Sequence, residues 1–344
     1  MRLYILGGHQ KKRWFRPLDE ADRFDLALIL RLDTDGETSE RLVEYRTPIE
    51  AKAHSGSSSL FTSGTLCGNK LYACTYTEVF VFELPHFRRV TYISLPLFNS
   101  LHHVAPTHRG TLLVANTGLD MVVEISLEGK VLHEWNVLGG SPWERFTRNV
   151  DYRKLNSTKP HLSHPNFVFQ ILEEFWVTRF LQKDAICLTQ QTQQIRIGIE
   201  RPHDGLLHEG LLYFTTVDGH LVIVNAESLA IRSLIDLRKF IGYPFAGPTW
   251  CRGILVVEKE LVCVGFTRIR KTMIMQAANW VKHGFRETDP PTHVAIFNLR
   301  ERKCLKTINL ESHGVNILFG IFDSEVAHVD EATRIHPLPL CGTL

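Results

Sequence analysis

Residues 202–237 read PHDGLLHEGLLYFTTVDGHLVIVNAESLAIRSLIDL, and this stretch decides the fold. It divides into four short runs, PHDGLLHEG, LLYFTTVDG, HLVIVNAES and LAIRSLIDL, which Gly, Asp and Asn residues separate. Apolar runs of this length between turn-forming residues are typical of antiparallel strands joined by tight turns. The stretch therefore predicts one four-stranded blade of a β-propeller.

The same pattern recurs along the chain at a period typical of propellers. Four further stretches divide in the same way, at residues 54–95, 102–137, 163–199 and 249–309. Three runs near the N-terminus, RLYILG, DLALILRLD and RLVEYRT, and one near the C-terminus, SHGVNILFGIF, belong to none of these blades. Joining the two chain ends in one sheet removes open sheet edges. We therefore predict an all-β, six-bladed β-propeller, its last blade closed by N-terminal strands plus a C-terminal strand, as a single domain over residues 1–344.

The composition is that of an ordinary globular protein. The 344 residues are 44% hydrophobic and 22% charged, with a formal net charge of +2, which argues against disorder and against a strong overall field. No run of about 18 apolar residues occurs, the N-terminus lacks the pattern of a signal peptide, and no nucleic-acid motif accompanies the basic residues. Seven cysteines without a CxxC pair indicate free thiols in a reducing compartment. We expect a cytoplasmic protein that binds neither membrane nor nucleic acid.

Three stretches exceed the usual length of a connection between strands. They are residues 7–25, 138–162 and 269–291, and the pattern of blades places all three on the face where the innermost strands begin. We predict that they form a lid over the channel, with a helix at 272–283. They are rich in Lys, Arg and Trp, which favours an anionic or aromatic ligand. The alternative is that they are surface insertions without a function, whose charged residues are simply solvated.

The first strands of the six predicted blades share one position. In the segments AHSG, HHVA, SHPN, PHDG, CRGI and SHGV, it is held by His54, His103, His164, His203, Arg252 and His313. Equivalent positions of a symmetric propeller lie at one height around the axis, so these side chains are expected to converge. Several imidazoles suit a transition metal. The predicted ligands are His103, His164, His203 and His313, with His54 as a weaker member; the alternative is that each histidine bonds the backbone at a strand start.

Other residues of the same face are candidates for substrate binding and proton transfer. Arg252 cannot bind a metal but can grip a carboxylate, sulfate or phosphate, and Arg268 and Asn166 are the other predicted substrate-binding residues. Asp204 and Asp218 are the predicted catalytic acids, Asp204 through its neighbour His203. Aspartates are also common in turns for structural reasons. The nearby histidines are predicted to pack against or support the metal ligands: His102, His161 and His208.

The blade segments LLVANTGLDMVVEISLEGKVLHEW and LLYFTTVDGHLVIVNAES resemble those of the group of six-bladed propellers that includes NHL repeats, gluconolactonase-like hydrolases and arylsulfotransferases. The resemblance covers nearly the whole chain at the level of blades. Gluconolactonase-like enzymes hold a divalent metal in the channel through Glu, Asn and Asp, where this chain carries histidines. Carotenoid-cleaving oxygenases are similar in one respect, a four-histidine iron site on the axis of a seven-bladed propeller, which implies Fe(II).

Two classes of function follow from these features. The first is a metal-dependent enzyme with a histidine-bound transition metal, Fe(II) in preference to Zn or Mn, that acts on a small anionic or aromatic substrate. The second is a non-catalytic propeller that binds a peptide or a protein on its basic face. A metal-free transferase or lyase, in which a channel histidine is the base or nucleophile and Arg252 holds the anion, is a further alternative.

Overall fold

The computed structural model describes residues 1–11, 23–54, 56–190, 192–242, 245, 249–269 and 290–325. Within these ranges, 24 strands form six four-stranded antiparallel sheets. In every sheet the strands follow one another in chain order, except where the two ends of the chain meet. The predicted six-bladed β-propeller is confirmed.

The first three blades correspond to the predicted stretches 54–95, 102–137 and 163–199, although the first blade begins later than predicted. The first consists of β4 (Ser63–Cys67), β5 (Lys70–Cys74), β6 (Val79–Glu83) and β7 (Arg88–Ile93). The second consists of β8 (Leu101–Pro106), β9 (Leu112–Asn116), β10 (Met121–Ile125) and β11 (Val131–Asn136). The third consists of β12 (Pro165–Ile171), β13 (Glu174–Arg179), β14 (Asp184–Cys187) and β15 (Gln194–Arg196).

The remaining blades complete the circle. The fourth consists of β16 (Leu206–His208), β17 (Leu211–Thr215), β18 (His220–Asn225) and β19 (Ile231–Asp236), and the fifth of β20 (Thr249–Glu258), β21 (Leu261–Arg268), β22 (His293–Asn298) and β23 (Lys303–Asn309). The sixth consists of β24 (Ile317–Asp323), β1 (Arg2–Gln10), β2 (Phe24–Asp33) and β3 (Thr38–Tyr45). Five short 3-10 turns accompany these strands in the described part of the chain: Ile49–Ala51, Thr117–Leu119, Tyr152–Lys154, Leu237–Phe240 and Glu311–His313.

The sixth blade closes the propeller with strands from both ends of the chain. β24 is its innermost strand and pairs antiparallel with β1, from Leu3 opposite Asp323 to Gly8 opposite Ile317. The register shifts between Leu6 and Gly7, and a Cβ atom on Gly7 would lie 1.9 Å from the Ile317 carbonyl oxygen. Glycine at this bulge therefore permits the close approach that joins the two ends.

The core lies between neighbouring blades. The middle strands are buried on both faces, and all five residues of β9 and of β10 are buried. The outermost strands β3, β7 and β11 carry the exposed residues. This gradient explains why the sequence shows apolar runs for the middle strands and mixed patterns for the outer ones.

Two of the predicted boundaries differ in the structure, and a third predicted feature lies outside the described residues. The insertion at 7–25 is shorter, because β1 continues to Gln10 and β2 starts at Phe24, and its residues 12–22 lie outside the described ranges. The helix predicted at 272–283 also lies outside them, as do residues 270–289 of the third insertion. The first blade does not begin at His54, since β4 starts at Ser63.

Two further findings concern the described residues only. Their six cysteines are all free thiols, four of them buried. None of their helices has the length and hydrophobicity that a membrane crossing needs.

Candidate functional site

A cavity of about 1020 Å³ opens where the innermost strands begin, and we call it the mouth cavity. Residues at the starts of β8, β12 and β20 line it, together with β24 and the insertion 138–162. Pockets for drug-sized ligands occupy roughly 300–1,000 Å³. The mouth cavity is therefore large enough for an organic molecule.

The described charged residues of this lining are all positive. Among the described residues that line the mouth cavity there is no Asp and no Glu. Six lining residues are cationic, namely Arg23, Lys52, Arg153, Lys159, Arg252 and Arg268, and four are histidines, namely His102, His161, His164 and His203. Arg153 pairs with Asp151 and Arg268 with Glu311, and neither of these carboxylates lines the cavity. The field inside the cavity favours an anion.

A β-bulge decides which histidine of β8 enters the cavity. The register of β8 against β9 shifts between Leu101 and His103, so that His102 and not His103 lines the mouth cavity. The His103 ring instead stacks on Phe167 with ring centroids 3.6 Å apart. Its Nε2 lies 2.9 Å from the carbonyl oxygen of Gly64, and the backbone N–H of Val168 donates to its Nδ1 at 3.4 Å. The predicted ligand His103 is thus a buried contact between three blades, which is a correction.

His102 presents a hydrogen-bond acceptor to the cavity. Its Nδ1 lies 2.8 Å from the carbonyl oxygen of Ser100, and since a carbonyl only accepts, Nδ1 carries the proton. Burial lowers the pKa of His102 to about 3, although the bond to Ser100 opposes this shift. The ring is therefore neutral near pH 7, and its Nε2 holds a lone pair.

His203 is held in the same way by Asp204. Its Nδ1 lies 3.3 Å from Asp204 Oδ1, while the other carboxylate oxygen accepts from the hydroxyl of Thr215 and, at 2.8 Å, from the N–H of Gly253. Gly253 has φ +79°, which glycine adopts without strain. Burial lowers the pKa of His203, against the opposing effect of Asp204. Asp204 itself does not line the cavity, so the predicted catalytic acid is a positioning residue that ties the fourth blade to the fifth.

His164 and His161 form a hydrogen bond with each other at the start of the third blade. Their Nδ1 atoms lie 2.8 Å apart, so one donates to the other. Burial, followed by the charges of the neighbouring histidines, holds the pKa of His164 well below its usual range. The His164 ring also lies 4.8 Å from His102 and 5.1 Å from Phe180, between centroids. This predicted site residue does line the cavity.

Asp120 fixes the backbone that carries His164. Its carboxylate accepts from the N–H groups of Leu162, Ser163 and His164 at 2.8, 3.0 and 2.8 Å, and from Arg145 at 2.6 Å. These bonds hold His164 at a φ of +62°, which is uncommon for a residue other than glycine. The described insertion 138–162 is therefore built into the wall of the mouth cavity.

The guanidinium group of Arg252 packs against two aromatic rings. Its guanidinium carbon is 4.4 Å from the ring centroid of Phe319 and 5.3 Å from that of Trp250. Trp250 stacks in turn on Phe180, with centroids 6.3 Å apart and planes 15° apart. Stacking fixes the plane of the guanidinium, whose edge carries the N–H donors that suit a carboxylate or phosphate. The predicted anchor is thus placed in the cavity with a defined orientation.

Asn166 is a buried amide in the same lining. Its Nδ2 donates to the Pro202 carbonyl at 3.2 Å, which settles the orientation of the amide. Its Oδ1 is buried and has no donor among the described residues. Pro202 precedes His203 in the chain, so this amide lies beside the His203 site. Buried polar atoms without a protein partner are rare and call for an explanation.

The structure does not bring the other predicted residues into the site. His313 lies in the turn before β24, where its Nδ1 is 2.9 Å from the hydroxyl of Ser39 on the outermost strand β3. His54 is exposed. Asp218 bonds His220 and Thr216 and does not line the mouth cavity. The predicted ring of histidines does not converge, and these placements are corrections.

The described residues do not form the predicted metal site. Among the described residues, no group of three or more His, Cys, Asp or Glu side chains is placed to hold a metal ion. The predicted ligands His103 and His313 point elsewhere, for the reasons given above. Coordination by His103, His164, His203 and His313 is therefore not the geometry of this site.

The comparisons with known proteins agree with the fold. No family model matches the chain, and no curated protein matches it significantly. A protein of unknown function from Bacteroides caccae is similar in structure, with a TM-score of 0.59 and 12% identity over 93% of this chain and 97% of that chain. The chain is an all-β, six-bladed propeller. A structure of a nidogen/laminin complex is also similar, with a TM-score of 0.52 and 11% identity over the same shares. At such identities the likeness concerns the fold alone.

Sequence reasoning missed two residues of the site and one supporting feature. His102 and His161 line the cavity, although the sequence predicts supporting roles for them. Phe319, under Arg252, carries no signal beyond its place in an apolar strand. The doublet His102–His103 was the usable signal, because one of two adjacent strand residues must face the channel.

Proposed function

We propose that the mouth cavity binds a small organic anion, which Arg252 holds by its anionic group and His203 contacts as a proton acceptor. The observation that carries the proposal is the described lining, with its cations and histidines and without a carboxylate. A cavity of about 1020 Å³ also exceeds the needs of a single inorganic ion.

The arrangement of His203 supports the second half of the proposal. Its Nδ1 proton points to Asp204, so the neutral ring keeps the Nε2 lone pair for a ligand. A histidine whose other ring nitrogen is bound by a buried carboxylate has a fixed tautomer and orientation, as general bases require. This favours the metal-free alternative among the functions that the sequence suggested.

Two other expectations stay predictions. A bound Fe(II), Zn or Mn ion would need ligands other than the predicted set. A peptide partner would meet the exposed apolar residues at the rim of the mouth cavity, of which Leu155 is 42% and Leu181 44% exposed.

Isothermal titration calorimetry with benzoate, phenyl phosphate and phenyl sulfate tests the proposal, with neutral benzamide as the matched control. We expect at least one anion to bind and benzamide not to bind. Arg252→Met should weaken binding about 10- to 100-fold, since a hydrogen bond to a charged group contributes about 1.5–3 kcal/mol.

Arg201→Met is the control variant. The Arg201 guanidinium lies 5.4 Å from the Phe180 ring on the same face, but Arg201 does not line the cavity. We expect its replacement to change the affinity less than about twofold, as for a solvated surface charge. Equal losses in the two variants, or no binding of any of the three anions at about 10 mM, a concentration that reveals even weak complexes, would contradict the proposal.

A further inference from the structure

We propose that the anion bound in the mouth cavity is polyhydroxylated, with hydroxyl groups that donate to His102, His203 and Asn166. The inference rests on the proposed function, because it adds a second requirement to the ligand that Arg252 holds. Three polar atoms of the site can only accept a hydrogen bond, and a ligand must therefore bring donors to them.

Two of these acceptors are imidazole nitrogens. The Nδ1 atoms of His102 and His203 face oxygens that only accept, the Ser100 carbonyl and the Asp204 carboxylate. Each neutral ring therefore presents Nε2 as an acceptor, and the two ring centroids lie 6.3 Å apart. A ligand that fills the space beside both rings must bring donors to them.

The third acceptor is the amide oxygen of Asn166. The residue is 1% exposed, its Nδ2 is committed to the Pro202 carbonyl, and its buried Oδ1 has no donor among the described residues. An acceptor without a partner at such burial costs free energy that a ligand donor recovers. This oxygen is the independent sign that a donor-bearing ligand belongs here.

The charge of the cavity decides the kind of donor. Ammonium groups are disfavoured by the cations of the lining, Arg252 and Arg268 among them. Hydroxyl groups donate without carrying a positive charge. A carboxylate, phosphate or sulfate with several hydroxyl groups on a compact carbon skeleton therefore matches both halves of the site.

Calorimetry with two carboxylates that differ only in their hydroxyl groups tests the inference. The probes are shikimate and cyclohex-1-ene-1-carboxylate, which share a ring and a carboxylate, while only shikimate carries hydroxyl groups. We expect the wild-type protein to bind shikimate at least about tenfold more tightly, the ratio that one to two unmatched acceptors produce.

Replacing Asn166 tests its part. Asn166→Leu should reduce the preference for shikimate to about threefold or less, through loss of one hydrogen bond. Asn149→Leu is the matched control, since Asn149 is exposed in the insertion 138–162 and does not line the cavity, and it should leave the preference unchanged.

The outcomes separate the two proposals. Equal binding of the two probes by the wild-type protein overturns the inference and leaves the anion site in place. An unchanged preference in folded Asn166→Leu overturns the role of Asn166. If neither probe, nor any of the aromatic anions named above, binds, the proposed function fails and the inference fails with it. The wild-type comparison stands even where a variant does not fold.

Discussion

Replacing Asp204 by Asn changes one oxygen of a buried carboxylate to an amide and tests how the site is held together. Asp204 is 1% exposed and accepts from His203, Thr215 and Gly253. The last two donate to the same oxygen, Oδ2, so the amide oxygen of the substituted side chain is best placed there. The NH2 group then faces His203 Nδ1, and two donors meet. We expect His203 to move its proton from Nδ1 to Nε2.

The cost in stability follows from these contacts. All three hydrogen bonds to the charged carboxylate become neutral, and the His203 proton moves to the other ring nitrogen, which together cost about 2–3 kcal/mol. At about 2 °C per kcal/mol for a large domain, Tm should fall by about 4–6 °C. Thr215→Val removes a single donor to Asp204 and should cost about 1 kcal/mol without changing the tautomer of His203.

Three measurements follow this change. Thermal unfolding gives the fall in Tm, and nitrogen NMR of 15N-histidine-labelled protein reports which ring nitrogen of His203 carries the proton. Binding of shikimate, measured by calorimetry, should be retained in Thr215→Val and weakened in Asp204→Asn, because a hydroxyl group of the ligand can no longer donate to Nε2 of His203 once that nitrogen carries the proton. An unchanged Tm together with an unchanged tautomer in Asp204→Asn would refute the account of Asp204 as a positioning residue.

Three other perturbations test the account. Burial holds the pKa of His102 and His103 at about 3 against an ordinary value of 6.5, so the unfolded chain binds more protons between these pH values. The free energy of unfolding should therefore fall as pH falls through this window, by about 1.4 kcal/mol per pH unit for each histidine. A thermal unfolding midpoint that stays the same from neutral pH to about pH 5, inside this window, would contradict neutral buried rings. Asp120→Ala should lower the free energy of unfolding by about 3–5 kcal/mol, because it leaves three backbone N–H groups and Arg145 without their acceptor. Hydrogen exchange at residues 162–164 should become faster, and unchanged protection there would contradict the role given to Asp120. Elemental analysis of the purified protein should find less than about 0.1 transition-metal ion per chain, since no described ligand set fits one; a stoichiometric metal would return the metal-dependent enzyme to favour.

The fold could be predicted from the sequence because each blade is formed by strands that are neighbours in the chain. Each strand pairs with its chain neighbour, so turn residues and apolar runs report the sheet directly. Closure by β24 and β1 was also predictable, since both chain ends carried strands without a blade. The site was less predictable, because it depends on which face of a strand each residue occupies.

Single-residue irregularities explain the errors in the site. The bulge in β8 exchanges the faces of His102 and His103, and a slip of one residue reverses every side chain beyond it. His313 sits in a 3-10 turn instead of at a strand start, so it leaves the register that the segment SHGV suggested. The orientation of the Asn166 amide is set by its hydrogen bond to the Pro202 carbonyl, from the next blade, and no pattern along the chain reports that contact.

The most direct test of the central claim is a crystal soaked in 4-bromobenzoate and measured at the bromine absorption edge. The account predicts an anomalous peak in the mouth cavity, with the carboxylate of the ligand at the Arg252 guanidinium, and no such peak in Arg252→Met crystals. Bromine only at other surfaces of the wild-type protein, with the mouth cavity filled by solvent, would contradict it.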